Sequence, residues 1–372
     1  MSFPFPWRGC LAVSVFLALP TLFVSGCRSY QAAPLNWPQE SADWSAAAEG
    51  RTVLTLEAAR QCALILNPEI NALRLARQSS ERRALAAGWW EDPSLNIDAM
   101  RVLRGGAHPW ILGSGLSFTL PLNGVPGIEK KAAQAYAAAD ALAVTVAERQ
   151  LVAEVERLWL GCLTDQRCAA AQPAYKETRQ AREKQVRALI AAGELPKTEG
   201  DRIAQELIGL DLDCACCGAE TVARRQALLR VLGLHPSAPV ELAGEDGVPF
   251  SFGAFPESDL DLIRHPQVQE KLAQFEGSEE ALRAEIRRQY PDLKLGPLYA
   301  HEDGSGRLGA ALDLNLPLWN RNRRGVAAAE SARDSTRFEA VTAWRALVAE
   351  WREARAALLA AETLERRRRS FP

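Results

Sequence analysis

The eight cysteines are the most reactive side chains of this sequence, and their placing decides which chemistry is open to it. Cys10 lies inside an apolar N-terminal stretch. Cys27 closes that stretch directly after Val24-Ser25-Gly26, small residues of the kind that precede the cut in an exported chain. Cys62, Cys162, Cys168, Cys214, Cys216 and Cys217 follow, and an oxidising compartment would permit disulfides among them. The Cys-x-Cys-Cys run at 214–217 has the residue type of a soft-metal site, yet on a helix these neighbours point in different directions. Packing in an Ala-rich helix, or a bridge to Cys168 on a neighbouring helix, is the expected use, and no metal site is assigned. His108, His235, His265 and His301 are scattered without metal-ligand spacing. Glu154, Glu156 and Asp201 fall in helical patterns where a solvated face accounts for them. With no nucleophile motif and no phosphate loop, no enzymatic activity is expected and no cofactor is called for.

A length of 372 residues, 48% hydrophobic and 24% charged, is enough for two or three ordinary domains and has a composition that folds. The formal charge of −2 leaves no basic field to gather phosphates, which excludes nucleic acid as a partner. Residues 1–26 read as an export signal: a positive charge at Arg8, an apolar stretch from Leu11 to Val24, then small residues. The stretch is too short, and too broken by proline, for a secure membrane span. Its end, Val24-Ser25-Gly26-Cys27, resembles the lipobox of bacterial lipoproteins. The resemblance implies cleavage before Cys27, diacylglycerol on its sulfur and an N-acyl lipid on the new terminus. An ordinary cleaved signal with a chance cysteine is the alternative. Arg28 stands where an aspartate would imply inner-membrane retention, so the resemblance points to the outer membrane. Residues 27–53 read as a linker.

Self-similarity appears at a displacement of 198 residues. Asn67-Pro68-Glu69-Ile70 is answered by His265-Pro266-Gln267-Val268, and Asp92-Pro93-Ser94-Leu95 by Tyr290-Pro291-Asp292-Leu293. The Leu-Pro-Leu junctions around Pro121 and Pro317, and Gly127 and Gly325 beyond them, keep the same order. Two units follow, 54–233 and 258–372, joined by a Pro-, Gly- and acid-rich linker at 234–257.

Each unit predicts the same elements. A short helix, Leu56 to Leu66 or Asp259 to Arg264, meets a proline that suits the first turn of a second helix. That helix runs to about Trp89 or Gln289 and stops at a proline. A hairpin of alternating strands follows, 93–120 and 292–316, with turns at Gly105-Gly106 and Asp303-Gly304-Ser305-Gly306. Long helical patterns come next, Ile128 to Ala192 and Val326 to about Arg368. Leu151, Val155, Leu158 and Cys162 make the packing seam of the first, and Leu347, Trp351, Ala354 and Leu358 that of the second. A helix on the order of 100 Å long needs lateral partners, and the segment from Pro196 to Leu232, closed by Gly233, is expected to return antiparallel along its lower half. The long helical hairpin therefore spans 128–232. The class is mainly α with a small antiparallel β part.

Strands that alternate apolar and polar are ordinary in soluble sheets. Here the chain is exported, the strands are about ten residues long, and the helices cannot be housed beside them as a compact domain. In lipid a sheet must close without edges, and four strands cannot close, because barrels begin at about eight. Three copies would supply twelve strands, and the same threefold assembly would ring the long helices into a tube.

These landmarks resemble the TolC-type outer-membrane efflux protein family, in its lipoprotein branch, over roughly residues 54–368. They are the lipobox, the Asn67-Pro68 and His265-Pro266 helix starts, and the two junctions, above all Leu316-Pro317-Leu318-Trp319-Asn320-Arg321-Asn322-Arg323-Arg324-Gly325. The resemblance implies a homotrimer with a transmembrane β-barrel of twelve strands set in outer-membrane lipid and an α-helical barrel in the periplasm. It also implies a passive duct for drugs, metal cations or other small solutes, working with a periplasmic adaptor (membrane fusion) protein and an inner-membrane transporter. The turn Ala192-Gly193-Glu194-Leu195-Pro196-Lys197-Thr198 resembles the family's adaptor-docking tip, with Gly193, Leu195 and Thr198 as its candidate residues. Glu194 departs from that pattern, where a hydrophobic residue is usual. At the displacement of 198 the last residue, 372, answers to position 174, so the second unit is expected to lack its tip turn and returning helix, about 58 residues. Part of the family's gate lies on that hairpin, and no gate residues are assigned. The last helix is expected to leave its apolar seam uncovered. The rival reading is a non-conducting structural or adaptor-like periplasmic helical lipoprotein.

Overall fold

The computed structural model describes residues 29–46, 52–101, 103, 110–243, 256–302 and 305–370. Cys27, the leader 1–26 and the turns at Gly105-Gly106 and Asp303-Gly304 lie outside them. The chain divides into two units, 1–49 and 50–372. The described part of the first holds one exposed helix, α1 (Trp37–Ala46), inside the stretch expected as a linker.

The second unit is mainly helical with a small antiparallel sheet. It opens with β1 (Thr52–Leu54), α2 (Leu56–Leu66), α3 (Pro68–Ala86), β2 (Ser94–Arg101) and β3 (Trp110–Leu120). Two long helices follow, α4 (Val125–Ala191) and α5 (Lys197–Val231), and then β4 (Val240–Leu242). A second series runs from a 3-10 turn (Asp261–Arg264) through α6 (Pro266–Arg287), β5 (Leu293–Glu302) and β6 (Ser305–Leu314) to α7 (Arg323–Ser370). Part of the first series has a similar order in the second: a helix beginning at a proline (Pro68 and Pro266), two strands, and a long helix beginning at Val125 and at Arg323.

Local chemistry sets the ends of these helices. Thr55 caps α2 by accepting from Ala58 N at 3.2 Å. Asn67 caps α3 by accepting from Glu69 N at 2.9 Å and Ile70 N at 3.2 Å, with Pro68 in the first turn where no N–H is needed. Both α4 and α5 end in Schellman motifs. Gly193 (φ +79°) and Gly233 (φ +74°) take the left-handed backbone that closes them, and Glu194 N and Leu234 N return to Leu189 O and Leu229 O at 2.9 Å.

Helix α4, of 67 residues, is roughly 100 Å long and is the spine of the unit. It packs against α2, α3 and α6 along its first part and pairs with α5 along its second, while α7 lies on α6. The α4–α5 pairing is antiparallel: Asp165 meets Arg224, Lys176 meets Asp211 and Arg179 meets Glu206. Buried Val155, Leu158, Trp159, Cys162 and Leu163 of α4, with Leu228, Leu229 and Leu232, make a core that holds the largest fully buried side chains among the described residues. The pair β1–β4, parallel, sits beside it, and Arg225 donates to Val240 O at 2.7 Å.

Four local expectations change. The short helix expected from Asp259 is a 3-10 turn beginning at Asp261, since a proline at 266 leaves room for a single turn. Helix α4 begins at Val125 rather than Ile128 because Asn123 and Gly124 already turn the chain. Ser305 and Gly306, expected in a turn, are already strand, paired with Glu302 and His301. The linker 234–257 carries β4, whose pairing with β1 depends on residues nearly two hundred positions away. On α7, Leu347, Trp351 and Leu358 of the expected seam are half-buried and Ala354 is exposed, as are Leu359 and Leu364.

Candidate functional site

Strands β2, β3, β5 and β6 form one antiparallel sheet in that order. Hairpin β2–β3 and hairpin β5–β6 join through β3–β5, where Leu112 faces His301 and Leu120 faces Leu293. Residues directly opposite one another point to the same side of a sheet, so the register sorts every side chain. One face carries the rows Leu95–Leu116, Ile97–Ser114–Tyr299–Leu308, Phe118–Leu295–Leu312 and Leu120–Leu293–Leu314. The other carries Ser94–Ser117, Asp98–Gly113–Ala300–Arg307 and Thr119–Lys294–Asp313, and is mostly polar or small. Ser94 and Ser117 share a hydroxyl hydrogen bond of 2.7 Å on it.

The apolar face is not covered. Ile97 is 74% exposed, Leu308 83% and Leu312 72%, and the four strands pack chiefly against one another. The outer edges of β2 and β6 have no strand partner among the described residues. No described helix is long and apolar enough to cross a membrane.

The sheet is fastened to the helices at two junctions. After Pro121, Asn123 accepts from Val125 N at 3.0 Å and donates to Tyr290 O at 3.4 Å. After Pro317, Asn322 donates to Glu285 O at 2.8 Å and to the Glu285 carboxylate at 2.6 Å, and its positive φ of 51° turns the chain into α7. Both prolines are half-buried, and each asparagine ties its junction to the end of α6. Sequence reasoning named the prolines and missed the asparagines, whose signal was the type of residue that begins a helix. Trp89 and Trp90, shortly before β2, and Trp319, two residues after Pro317, are exposed.

At the far end of the α4–α5 hairpin, Gly193 turns the chain, Leu195 is half-buried, and Glu194 and Thr198 face solvent. Pro196 precedes α5 without a side-chain cap, and Arg202 bridges Glu199 and Glu206 in the first turns of α5. The sequence-derived residues therefore fall at two separate places, Pro121 and Pro317 at the sheet and Gly193, Leu195 and Thr198 at the tip.

Between them, Asn67, 5% exposed, donates to Val231 O at 2.9 Å while it caps α3, locking the α2–α3 corner to the end of α5. Gly233 lies against the same corner, where a Cβ would meet Leu66 O at 2.6 Å. In the second series His265 has the capping role, its Nδ1 accepting from Gln267 N at 3.4 Å. Desolvation, and then the charge of Arg149, hold the His265 imidazole below its ordinary pKa, with Glu350 opposing. Burial raises the Cys62 and Cys162 thiols, which marks them as packing groups. No group of three or more His, Cys, Asp or Glu able to hold a metal ion occurs among the described residues, and no disulfide joins the described cysteines.

No protein-family model and no curated protein sequence matches the chain. Its fold is that of solved outer-membrane channels. A membrane protein from Pseudomonas aeruginosa superposes with a TM-score of 0.67 at 20% identity, over 92% of this chain and 82% of that one. CusC, described in terms of folding and transmembrane channel formation, gives 0.66 at 17% identity, over 84% and 76%. The open state of the MtrE outer-membrane channel of Neisseria gonorrhoeae gives 0.65 at 18% identity, over 84% and 74%.

Proposed function

We propose that this chain, having the fold of outer-membrane channels, is the outer-membrane duct of a tripartite efflux system and that three copies make its pore. The observation that carries the reading is the sheet: four strands, one face apolar and exposed, two edges open. Lipid supplies no partners for backbone amides, so such a sheet is stable in a bilayer only when its edges are paired by others like it. Four strands from each of three copies make twelve, above the roughly eight at which a barrel closes, and the apolar face then meets lipid while the polar face lines the lumen. The strands of 8 to 11 residues have the length of tilted crossings.

The same threefold arrangement rings α3, α4, α6 and α7 into a periplasmic tube, and the two series of elements represent an internal duplication. Cys27 carries the lipid anchor, and the tip at Gly193, Leu195 and Thr198 meets the periplasmic adaptor, through which the inner-membrane transporter supplies the energy. The duct itself is passive: a wide aqueous lumen makes few contacts with what passes, be it a drug, a metal cation or another small solute.

Conductance across a planar bilayer tests the reading. Purified, cross-linked oligomers are expected to run as trimers and carry a steady ion current. A stable assembly that carries none would instead be a periplasmic spacer.

A further inference from the structure

We infer that Cys168 of α4 and Cys217 of α5 form an intramolecular disulfide that staples the α4–α5 hairpin where it leaves the helical core. The argument is one of register. Gly161 lies against Arg224, close enough that a Cβ on the glycine would meet the arginine Cδ at 2.5 Å. Arg179 pairs with Glu206 at 3.2 Å. Cys168 is seven residues beyond Gly161 and Cys217 seven before Arg224, two helical turns in each case. Arg179 is eleven residues beyond Cys168 and Glu206 eleven before Cys217, three turns in each case. The two cysteines therefore occupy the same flank and the same level of the antiparallel pair as the contacts above and below them.

The other thiols do not share this position. Cys216 is a third of a turn away on α5, and Cys214 lies a turn closer to the tip. Cys62 and Cys162 are drawn into the core region, whereas Cys168 and Cys217 are exposed and open to an oxidant.

The reaction is a two-electron oxidation. One thiolate attacks a molecule of oxidised glutathione and releases one glutathione thiol, the second thiolate attacks the protein sulfur of the resulting mixed disulfide and releases the other, and the two protons and two electrons leave the protein as two reduced glutathiones. The Cys217 thiol is raised above its ordinary pKa by desolvation and then by Glu220, Cys214, Asp213 and Cys168. Such a thiol attacks slowly and leaves slowly, which suits a permanent staple better than a rapid switch. The bridge encloses the 48 residues that carry the tip turn and so fixes the tip against the core. The inference stands on the hairpin alone and does not require the channel reading.

The test equilibrates the purified full-length chain in glutathione buffers from reducing to oxidising, blocks free thiols and maps the peptides by mass. The expected result is loss of labelling at Cys168 and Cys217 together, recovered on reduction, with the tip hairpin cut faster by protease in the reduced form. Cys216→Ser is expected to bridge like the parent, and Cys168→Ser to stay labelled at Cys217. Full labelling of both thiols in oxidising buffer, a bridge from Cys168 to Cys214 or Cys216, or a bridge between two copies would each overturn the inference.

Discussion

Arginine at Ile97 is the sharpest probe of the sheet. Ile97 stands at the middle of β2 in the row Ile97–Ser114–Tyr299–Leu308, so on the proposed reading it lies near the centre of the bilayer. Fully burying an isoleucine side chain is worth about 1.5–3 kcal/mol. With 74% of Ile97 still exposed in the single chain, lipid contributes roughly 1–2 kcal/mol of that. Arginine forfeits this and adds about 2–4 kcal/mol for a charge at the midplane, giving roughly 3–6 kcal/mol per copy. At about 1.4 kcal/mol per tenfold, Ile97→Arg is expected to lower the inserted-to-unfolded ratio roughly a hundredfold to ten-thousandfold. Asn96→Arg, one residue earlier on the opposite face, is expected to cost under about 0.5 kcal/mol. Urea titration of folding into phosphatidylcholine vesicles, read by protease protection, measures both. Equal sensitivity at the two positions would show that neither face is selected by lipid, and the barrel would have to be abandoned.

Asn67→Ala removes the α3 cap and leaves the Val231 carbonyl unpaired, a combined loss of about 2–4 kcal/mol, whereas Asn67→Ser keeps the cap and is expected to lose roughly half; urea midpoints by circular dichroism separate them. For His265 the sign follows from a folded pKa below the ordinary 6.5. The unfolded chain binds the proton more readily, so this contribution to stability is full above about 6.5 and is lost as pH falls through that value toward the folded one. His265→Asn, which caps without titrating, is expected to remove that part of the pH dependence, and a melting-temperature difference from the parent that stays constant between pH 7.5 and 5.5 would contradict it. Trp159→Ala, at a side chain 1% exposed, is expected to cost about 3–5 kcal/mol of stability in denaturant unfolding, while Trp319→Ala, 93% exposed, is expected to leave it unchanged.

Much of this was legible because it is local. Prolines at 68 and 266 mark helix starts, a period of two marks the strands, and Gly193 and Gly233 mark helix ends, each through the backbone freedom of a few neighbouring residues. The seam Leu151, Val155, Leu158 and Cys162 was legible because helical periodicity is itself a statement about one face, and three of its four members are buried. What was not legible depends on distant partners. The segment Val240–Leu242 becomes a strand only because Thr52–Leu54 lies beside it, and no periodicity in three residues announces that. Asn123 and Asn322 look like ordinary turn residues until Tyr290 and Glu285 are seen within reach. The tip residues were read from a resemblance, and their geometry is that of a helical-hairpin turn, so docking there rests on the partner.

The two parts of the second unit differ in what they need to be stable. Around Trp159, helices α2, α4 and α5 and the β1–β4 pair enclose apolar groups that water no longer reaches, so this body holds itself together by burial within one chain. The sheet has no such interior. Most of its apolar side chains remain exposed, and its two outer edges have no strand partner among the described residues. A two-hairpin sheet gains little until something covers that face and pairs those edges. On the proposed reading both come in one step, lipid for the face and neighbouring copies for the edges. Insertion and trimerisation are then a single event for the sheet, while the helical body folds beforehand and, through Asn123 and Asn322, holds both hairpins at one level so that six edges can meet.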